Sequence, residues 1–343
     1  MAKKEDGSFE RDLIGALKVE KGHEGAVRIG SDQLDADVED YISTQCATLD
    51  WALARPGVPV GRMTLLLGEE ATGKSTILLH ILIETQRRGG TAILVDAENR
   101  YSKERATEMG MDHDRLVYVT GDQPYESILK RIIELIDKAR VKDKNRLIAI
   151  GLDSLAAVAG EKSISGESDQ IASVAMLTSK FFREHLSTFA AKRVCFVVVN
   201  QWRANINAFG GGWASQKTMI APGACRFYST CRIEFKKKAV LPDKDHPEAI
   251  LVGAEVTKNT IAPPYRTAEF LISFRFGIDF PGSQLLLAKQ LGLVSQGGGG
   301  YYELEGREKK FRAGEFEEVL AEHPELVERL VESSTDWTRA ERA

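Results

Sequence analysis

The 343-residue chain holds four cysteines, Cys46, Cys195, Cys225 and Cys231, with no CxxC pair among them and no histidine at metal-ligand spacing. That scarcity excludes a disulfide framework and a structural zinc site, and it reads as four reduced, buried thiols in a cytoplasmic protein. Long apolar runs are missing too. The longest, ILLHILI at 77–83 and VCFVVV at 194–199, fall far short of the roughly 18–20 residues of a membrane span. The N-terminus, MAKKEDGSFERDL, has no apolar signal segment, so the chain is expected to be neither secreted nor membrane-bound. Nor does one charge sign dominate. Lys and Arg number 46 against 50 Asp and Glu, a net charge of −4, so nucleic acid is not held by net charge alone and any such contact is local.

What is present, 43% hydrophobic and 28% charged residues, describes a globular protein and excludes a disordered, collagenous or coiled-coil chain. A chain of this mass buries about three-quarters of its surface, enough for a large core without disulfides or metal. Phe9, Leu13, Ile14 and Leu17 recur at helical spacing and precede a short strand candidate, AVRIG at 26–30. The acidic stretch SDQLDADVED links this N-terminal arm, 1–40, to the rest. From 41 to about 280 strand patterns alternate with helical ones. The strand candidates are 63–68, 91–98, 116–120, 147–154 and 194–200; the helix candidates are 74–88, 102–109, 125–139 and 169–190. That order predicts an α/β core with a mostly parallel, doubly covered sheet, extended by antiparallel strands CRIEFKKK, LVGAEVTKN and TAEFLISF. Residues 281–343 read as a small C-terminal α/β domain and short tail: a helix near 283–292, a YYELEGREKKF hairpin and a helical stretch broken at Pro324. Between Glu303 and Glu332 it holds ten acidic and five basic residues.

The string with the most chemistry is Gly68-Glu69-Glu70-Ala71-Thr72-Gly73-Lys74-Ser75, a GxxxxGK[ST] phosphate loop placed after an apolar strand and opening a helix. Its glycines let backbone N–H groups converge on phosphate oxygens, Lys74 supplies a point charge, and the Ser75 hydroxyl suits Mg²⁺. Asp153 ends an apolar strand where a parallel sheet presents its ligand crevice, the place for the Mg²⁺-side partner of Ser75. Glu98 follows the neighbouring strand and is placed to orient a water for attack on a γ-phosphate. Gln201, after VCFVVVN, reaches the same crevice with an uncharged amide.

Beyond Gln201 the stretch WRANINAFGGGWASQKTMIAPG has no acidic residue, and its length inside a compact domain points to function. Arg203 and Lys217, interleaved with Trp202, Phe209 and Trp213 and loosened by Gly210, Gly211 and Gly212, give the cation-plus-aromatic composition that tracks single-stranded nucleic acid. Asn205 lies in the same stretch. A second polar loop, EKSISGESDQ at 161–170, follows the Asp153 strand and carries Ser163, Ser165 and Gly166.

Taken together, ISTQCATLDWAL, GEEATGKST, LVDAEN, LDSLAAV, VVVNQWR, RFYSTCRIEF, VTKNTIAPPYRTAEF and YYELEG, in that order, resemble the bacterial RecA recombinases and their phage relatives over almost the whole chain. The resemblance implies a RecA-type P-loop core acting as a DNA-dependent ATPase. Such a protein forms a helical homopolymer on single-stranded DNA with ATP and Mg²⁺. It then pairs that strand with homologous double-stranded DNA and exchanges strands in recombination, DNA repair and the SOS response to DNA damage. Residue by residue it implies Gly68 to Thr76 as the phosphate loop, Ser75 and Asp153 at the metal, Glu98 as base and Gln201 as reporter of the γ-phosphate. Residues 203–221 and 161–169 become the two DNA loops, and Lys258, in VTKN, a residue reaching the ATP of the adjacent subunit in trans. Where the family places a second lysine this chain has Thr260, and where it places an adenine-stacking tyrosine it has Arg105, whose guanidinium can stack instead. The arm is expected to dock on the neighbouring subunit, giving an open head-to-tail filament. Two other uses of such a core are a ring-forming ATPase such as a helicase, and a filament-forming single-strand binder in which ATP is only a clamp. RFYSTCRIEF, VTKN and the arm favour the recombinase.

Overall fold

The computed structural model describes residues 38–158, 167–204 and 217–335. Its larger unit is Asp40–Ala343. In chain order the elements of that unit are β1 (Tyr41–Ile42), α1 (Ala47–Leu53), β2 (Val58–Pro59), β3 (Met63–Gly68), α2 (Lys74–Arg87), β4 (Thr91–Asp96), α3 (Lys103–Glu108), β5 (Leu116–Thr120), α4 (Tyr125–Lys142) and β6 (Ile148–Asp153). After them come α5 (Leu155–Val158), α6 (Glu167–Ala191), β7 (Val194–Ala204), β8 (Lys217–Met219), α7 (Pro222–Tyr228), β9 (Cys231–Pro242), β10 (Pro247–Asn259), β11 (Thr267–Ser273) and β12 (Gly277–Ile278). The last are α8 (Phe280–Gln290), β13 (Val294–Gln296), β14 (Tyr301–Leu304), β15 (Phe311–Arg312), α9 (Phe316–Glu322) and α10 (Pro324–Thr335).

The central sheet runs β12-β11-β10-β9-β3-β7-β6-β4-β5, with β8 paired to β7. Every neighbouring pair from β9 to β5 is parallel, and β9 to β12 pair antiparallel. This is the α/β architecture expected from the alternation of strands and helices. The continuous apolar runs have a physical reason: successive side chains leave a strand on opposite faces, and here both faces are covered. Leu66, Leu94, Ala149, Val197 and Val199 join one core under α1 and α2. Leu65, Leu67, Ile93, Val95, Ile150, Phe196 and Val198 join a second under α4 and α6, where Phe181, Phe182, Phe189 and Phe196 pack ring against ring.

Some elements depart from the sequence expectation. The strand expected over 91–98 stops at Asp96, because Asn99 takes a left-handed φ of 51° and the Asp96 carboxylate accepts the amides of Arg100 and Tyr101 (3.3 and 2.9 Å), folding the chain into a turn. The strand expected to end at Asn200 continues to Ala204 because β8 pairs with its tip. The helix expected near 283 begins at Phe280, since Pro281 sits in the first turn, where its missing N–H costs nothing, and the Asp279 carboxylate caps the Gly282 amide at 3.0 Å. The hairpin of β14 and β15 is present, with β13 added to it, and α9 and α10 meet at Pro324. Leu285, Phe311, Phe316, Val319, Leu326 and Leu330 form its own core, which packs on Trp51 of α1. Among the described residues no helix is long and apolar enough to cross a membrane.

Candidate functional site

The site is built by neighbouring strand ends. β3, β7, β6 and β4 lie side by side and parallel, so the residues at their C-terminal ends converge on one edge. Register fixes the partners: Gly68 lies opposite Gln201, and Asp96 opposite Asp153. Above this edge opens a cavity of about 310 Å³ lined by Glu70 to Thr76, Asp96, Glu98, Arg100, Tyr101, Arg105, Asp153, Gln201, Ile272 and Phe274, among others.

The loop that forms its floor depends on two glycines. Gly73 has a φ of 87°, a region that side chains resist, and a Cβ there would lie 2.1 Å from Ile272 Cδ1. At Gly68 a Cβ would lie 2.6 Å from the Phe235 carbonyl oxygen. Gly73 offers no side chain to cap α2, so the first amides of this 14-residue helix stay free for an anion. Lys74 is 5% exposed; its ammonium donates to the Glu69 carbonyl at 2.5 Å and to Thr72 Oγ1 at 3.4 Å. Burial presses the Lys74 pKa below the usual lysine range, opposed by Asp153, Glu98, Glu70 and Glu69. The ammonium is held by neutral oxygens that a phosphate can replace.

Burial pushes the Asp153 carboxyl up to about 6, opposed by the hydrogen bond it accepts from the Ser75 hydroxyl, with Glu98 and Asp96 adding to the rise and Lys74 opposing it. Asp96 is buried, accepting from Tyr118 Oη at 2.8 Å besides the two amides of its turn. Two residues beyond β4, Glu98 accepts through Oε1 from Ser154 Oγ (2.5 Å) and Gln201 Nε2 (3.3 Å), and through Oε2 it pairs with Arg100 Nη1 at 3.1 Å. Glu98 and Gln201 are thus in direct contact across the crevice. Arg105, on α3, donates to Thr76 Oγ1 at 3.1 Å, which ties the α3 wall to α2.

Of the residues expected from sequence, Glu70, Ala71, Thr72, Gly73, Lys74, Ser75, Thr76, Glu98, Arg105, Asp153 and Gln201 line this one cavity, with Gly68 and Glu69 in the loop beneath them. Lys258 does not line it. It lies on β10, and its ammonium donates to the carbonyls of Arg226 (2.7 Å) and Phe227 (3.2 Å) at the end of α7. Arg203 donates to the Ala156 carbonyl at 3.0 Å, and Lys217 opens β8 opposite Ala204, so β7 and β8 form a stem at the two ends of residues 205–216. Ser163, Ser165, Gly166, Asn205, Phe209, Gly210, Gly211, Gly212, Trp213 and the arm up to residue 37 lie outside the described residues.

Among the residues of the cavity wall that sequence reasoning missed are Asp96, Arg100, Tyr101, Ile272 and Phe274. Asp96 and Arg100 flank Glu98 in LVDAENRY, close enough to the same strand end to be found with it. Phe274 stands about 200 residues from the phosphate loop, and nothing local to it signals a cavity.

A family model described as the RecA N-terminal domain matches residues 12–279. Curated relatives called Protein RecA match over most of the chain. That of Syntrophobacter fumaroxidans is 30% identical over 90% of this chain and 87% of its own. The one from Rickettsia prowazekii is 30% identical over 94% and 93%, and the Chlorobaculum tepidum protein is 32% identical over 83% and 80%. With a nucleotide-binding edge built in this way and a match of this extent, the chain belongs to the RecA family.

Proposed function

We propose that the chain is an ATP-dependent recombinase that forms filaments on single-stranded DNA, pairs it with homologous duplex and exchanges strands in recombination and repair, in the cytoplasm. The observation that carries this reading is the convergence of the phosphate loop, Asp153, Glu98 and Gln201 on one edge of a RecA-family sheet. Amides at the start of α2 and the Lys74 ammonium hold the β- and γ-phosphates. The Ser75 hydroxyl and Asp153 carboxylate, bonded to each other, are an all-oxygen pair that fits Mg²⁺ carried in with the nucleotide, where it would neutralise charge on the phosphate oxygens. Glu98 takes a proton from the attacking water while the water oxygen bonds to the γ-phosphorus. The bond from that phosphorus to the β–γ bridging oxygen breaks, its electron pair leaving with ADP, and inorganic phosphate results.

Gln201 gives the site a route to DNA. Its amide touches Glu98, and at the very next residue, Trp202, the same strand enters the stem shared with β8. A change at the γ-phosphate therefore reaches residues 203–221, which together with 161–169 we assign to DNA, Arg203 and Lys217 among them. Lys258, outside its own cavity, serves the nucleotide of the next subunit, and the arm within residues 1–40 docks on that neighbour.

The test is Glu98→Gln, whose amide cannot accept a proton. Hydrolysis should fall by about 10²- to 10⁴-fold, while ATP-dependent binding to a single-stranded oligonucleotide persists. Wild-type turnover in this variant would displace Glu98 as the base. DNA binding by the wild type that ignores ATP would overturn the proposal itself.

A further inference from the structure

Glu98 has both carboxylate oxygens engaged. Oε1 is held from within the protein by Ser154 and Gln201, whereas Oε2, among the described residues, is held only from the mouth of the cavity, by Arg100. The two partners of this ion pair are unequal. The Glu98 side chain is 17% exposed and the Arg100 side chain 75% exposed. The backbone beneath Arg100 is fixed, because its amide and that of Tyr101 donate to buried Asp96 and Asn99 closes the turn in a left-handed conformation. The guanidinium is thus a cation on a long arm, anchored at its base beside the phosphate loop and lining the same cavity as Lys74.

We propose that Arg100 is a γ-phosphate contact supplied by the chain itself, and that it exchanges Glu98 for the γ-phosphate when a nucleoside triphosphate binds. An ion pair this exposed is worth less than about fivefold in an equilibrium. A terminal phosphate carries more charge than a carboxylate and accepts two parallel bonds from a guanidinium. Departure of Arg100 frees Oε2, the oxygen of Glu98 that the protein interior does not hold, to face the attacking water. One movement places a cation on the phosphate and uncovers the base, so the triphosphate itself arms the site. A diphosphate, which has no γ-phosphate, leaves Glu98 capped. This rests on the reading of the cavity as an ATP site.

The experiment measures binding of ATPγS and of ADP, and ATP turnover, for the wild type and for Arg100→Ala, Arg100→Gln and Arg100→Lys. Their folding is checked by thermal melting. Without the guanidinium, affinity for ATPγS should fall about tenfold or more while ADP stays within about twofold, and kcat should fall at least tenfold. Arg100→Lys, which keeps the charge, should recover part of both losses. An unchanged ratio of ATPγS to ADP affinity in both uncharged variants overturns the proposal, whether both affinities hold or both drop together. A wild type that binds neither nucleotide instead sinks the reading of the cavity, so the two failures are distinguishable.

Discussion

His80 provides a test of the packing behind the phosphate loop. It lies on α2, buried, where its Nε2 accepts the Ile278 amide at 2.9 Å, so Nδ1 carries the proton and donates to Gln45 Oε1 at 2.8 Å. The ring thus ties α2 to β12 and to the loop before α1, and Gln45 in turn bonds Glu84 at 3.1 Å. Burial, with Arg87 and Arg105 adding to it, lowers the His80 pKa from 6.5 to about 4. A folded-state value below the unfolded one means the unfolded chain binds the proton first as pH falls. The contribution of neutral His80 is therefore complete above pH 6.5 and is lost on acidification towards pH 4. The loss is about 1.4 kcal/mol at a pH near 5.5 and about 2.5 kcal/mol near 4.5. Asp50 works in the opposite direction, since burial pushes its carboxyl from 3.8 up to about 6 and the folded chain takes up that proton first. Wild-type stability alone therefore hides the effect. The informative quantity is the gap between wild type and His80→Gln in urea unfolding at several pH values, in which Asp50 cancels. The wild type should lead at neutral pH, and its lead should shrink by about 2.5 kcal/mol by pH ~4.5. A gap that does not move with pH would refute the neutral, doubly bonded ring.

Two substitutions probe the site itself. Gly73→Ala forces a side chain into a φ of 87° and against Ile272, so nucleotide affinity measured by titration calorimetry should fall at least tenfold even if the fold survives the roughly 1–2 kcal/mol of backbone strain; unchanged affinity would mean the loop tolerates another path. Lys258→Ala should abolish DNA-stimulated turnover yet leave nucleotide binding by the isolated subunit within about twofold, because Lys258 stands outside its own cavity. Loss of that binding would contradict a role in trans.

Legibility in the sequence tracks physical locality. The phosphate loop is one contiguous string between a strand and a helix, and β3, β5 and the start of α2 fall where pattern places them. Asp153 and Gln201 are readable because a parallel sheet collects the ends of its strands on one edge, and Glu98 because it lies just beyond such a strand. β1 and β2 have two residues each, and α1 only seven, too few for any period to show. The tip of β7 has its partner β8 across residues 205–216, and Pro281 marks a helix start where proline reads as a break. The Glu98–Arg100 pair and the arrival of Phe274 at the cavity are tertiary events.

The central claim is that a triphosphate bound beside Glu98 and Gln201 puts the chain into a form that pairs and exchanges DNA strands. It is tested most directly by strand exchange between a single strand and a homologous or heterologous duplex, each with ATP, ADP or no nucleotide. Exchange should occur with ATP and the homologous duplex alone. Exchange that proceeds equally without nucleotide, or none with ATP from a chain that binds it, would contradict the account.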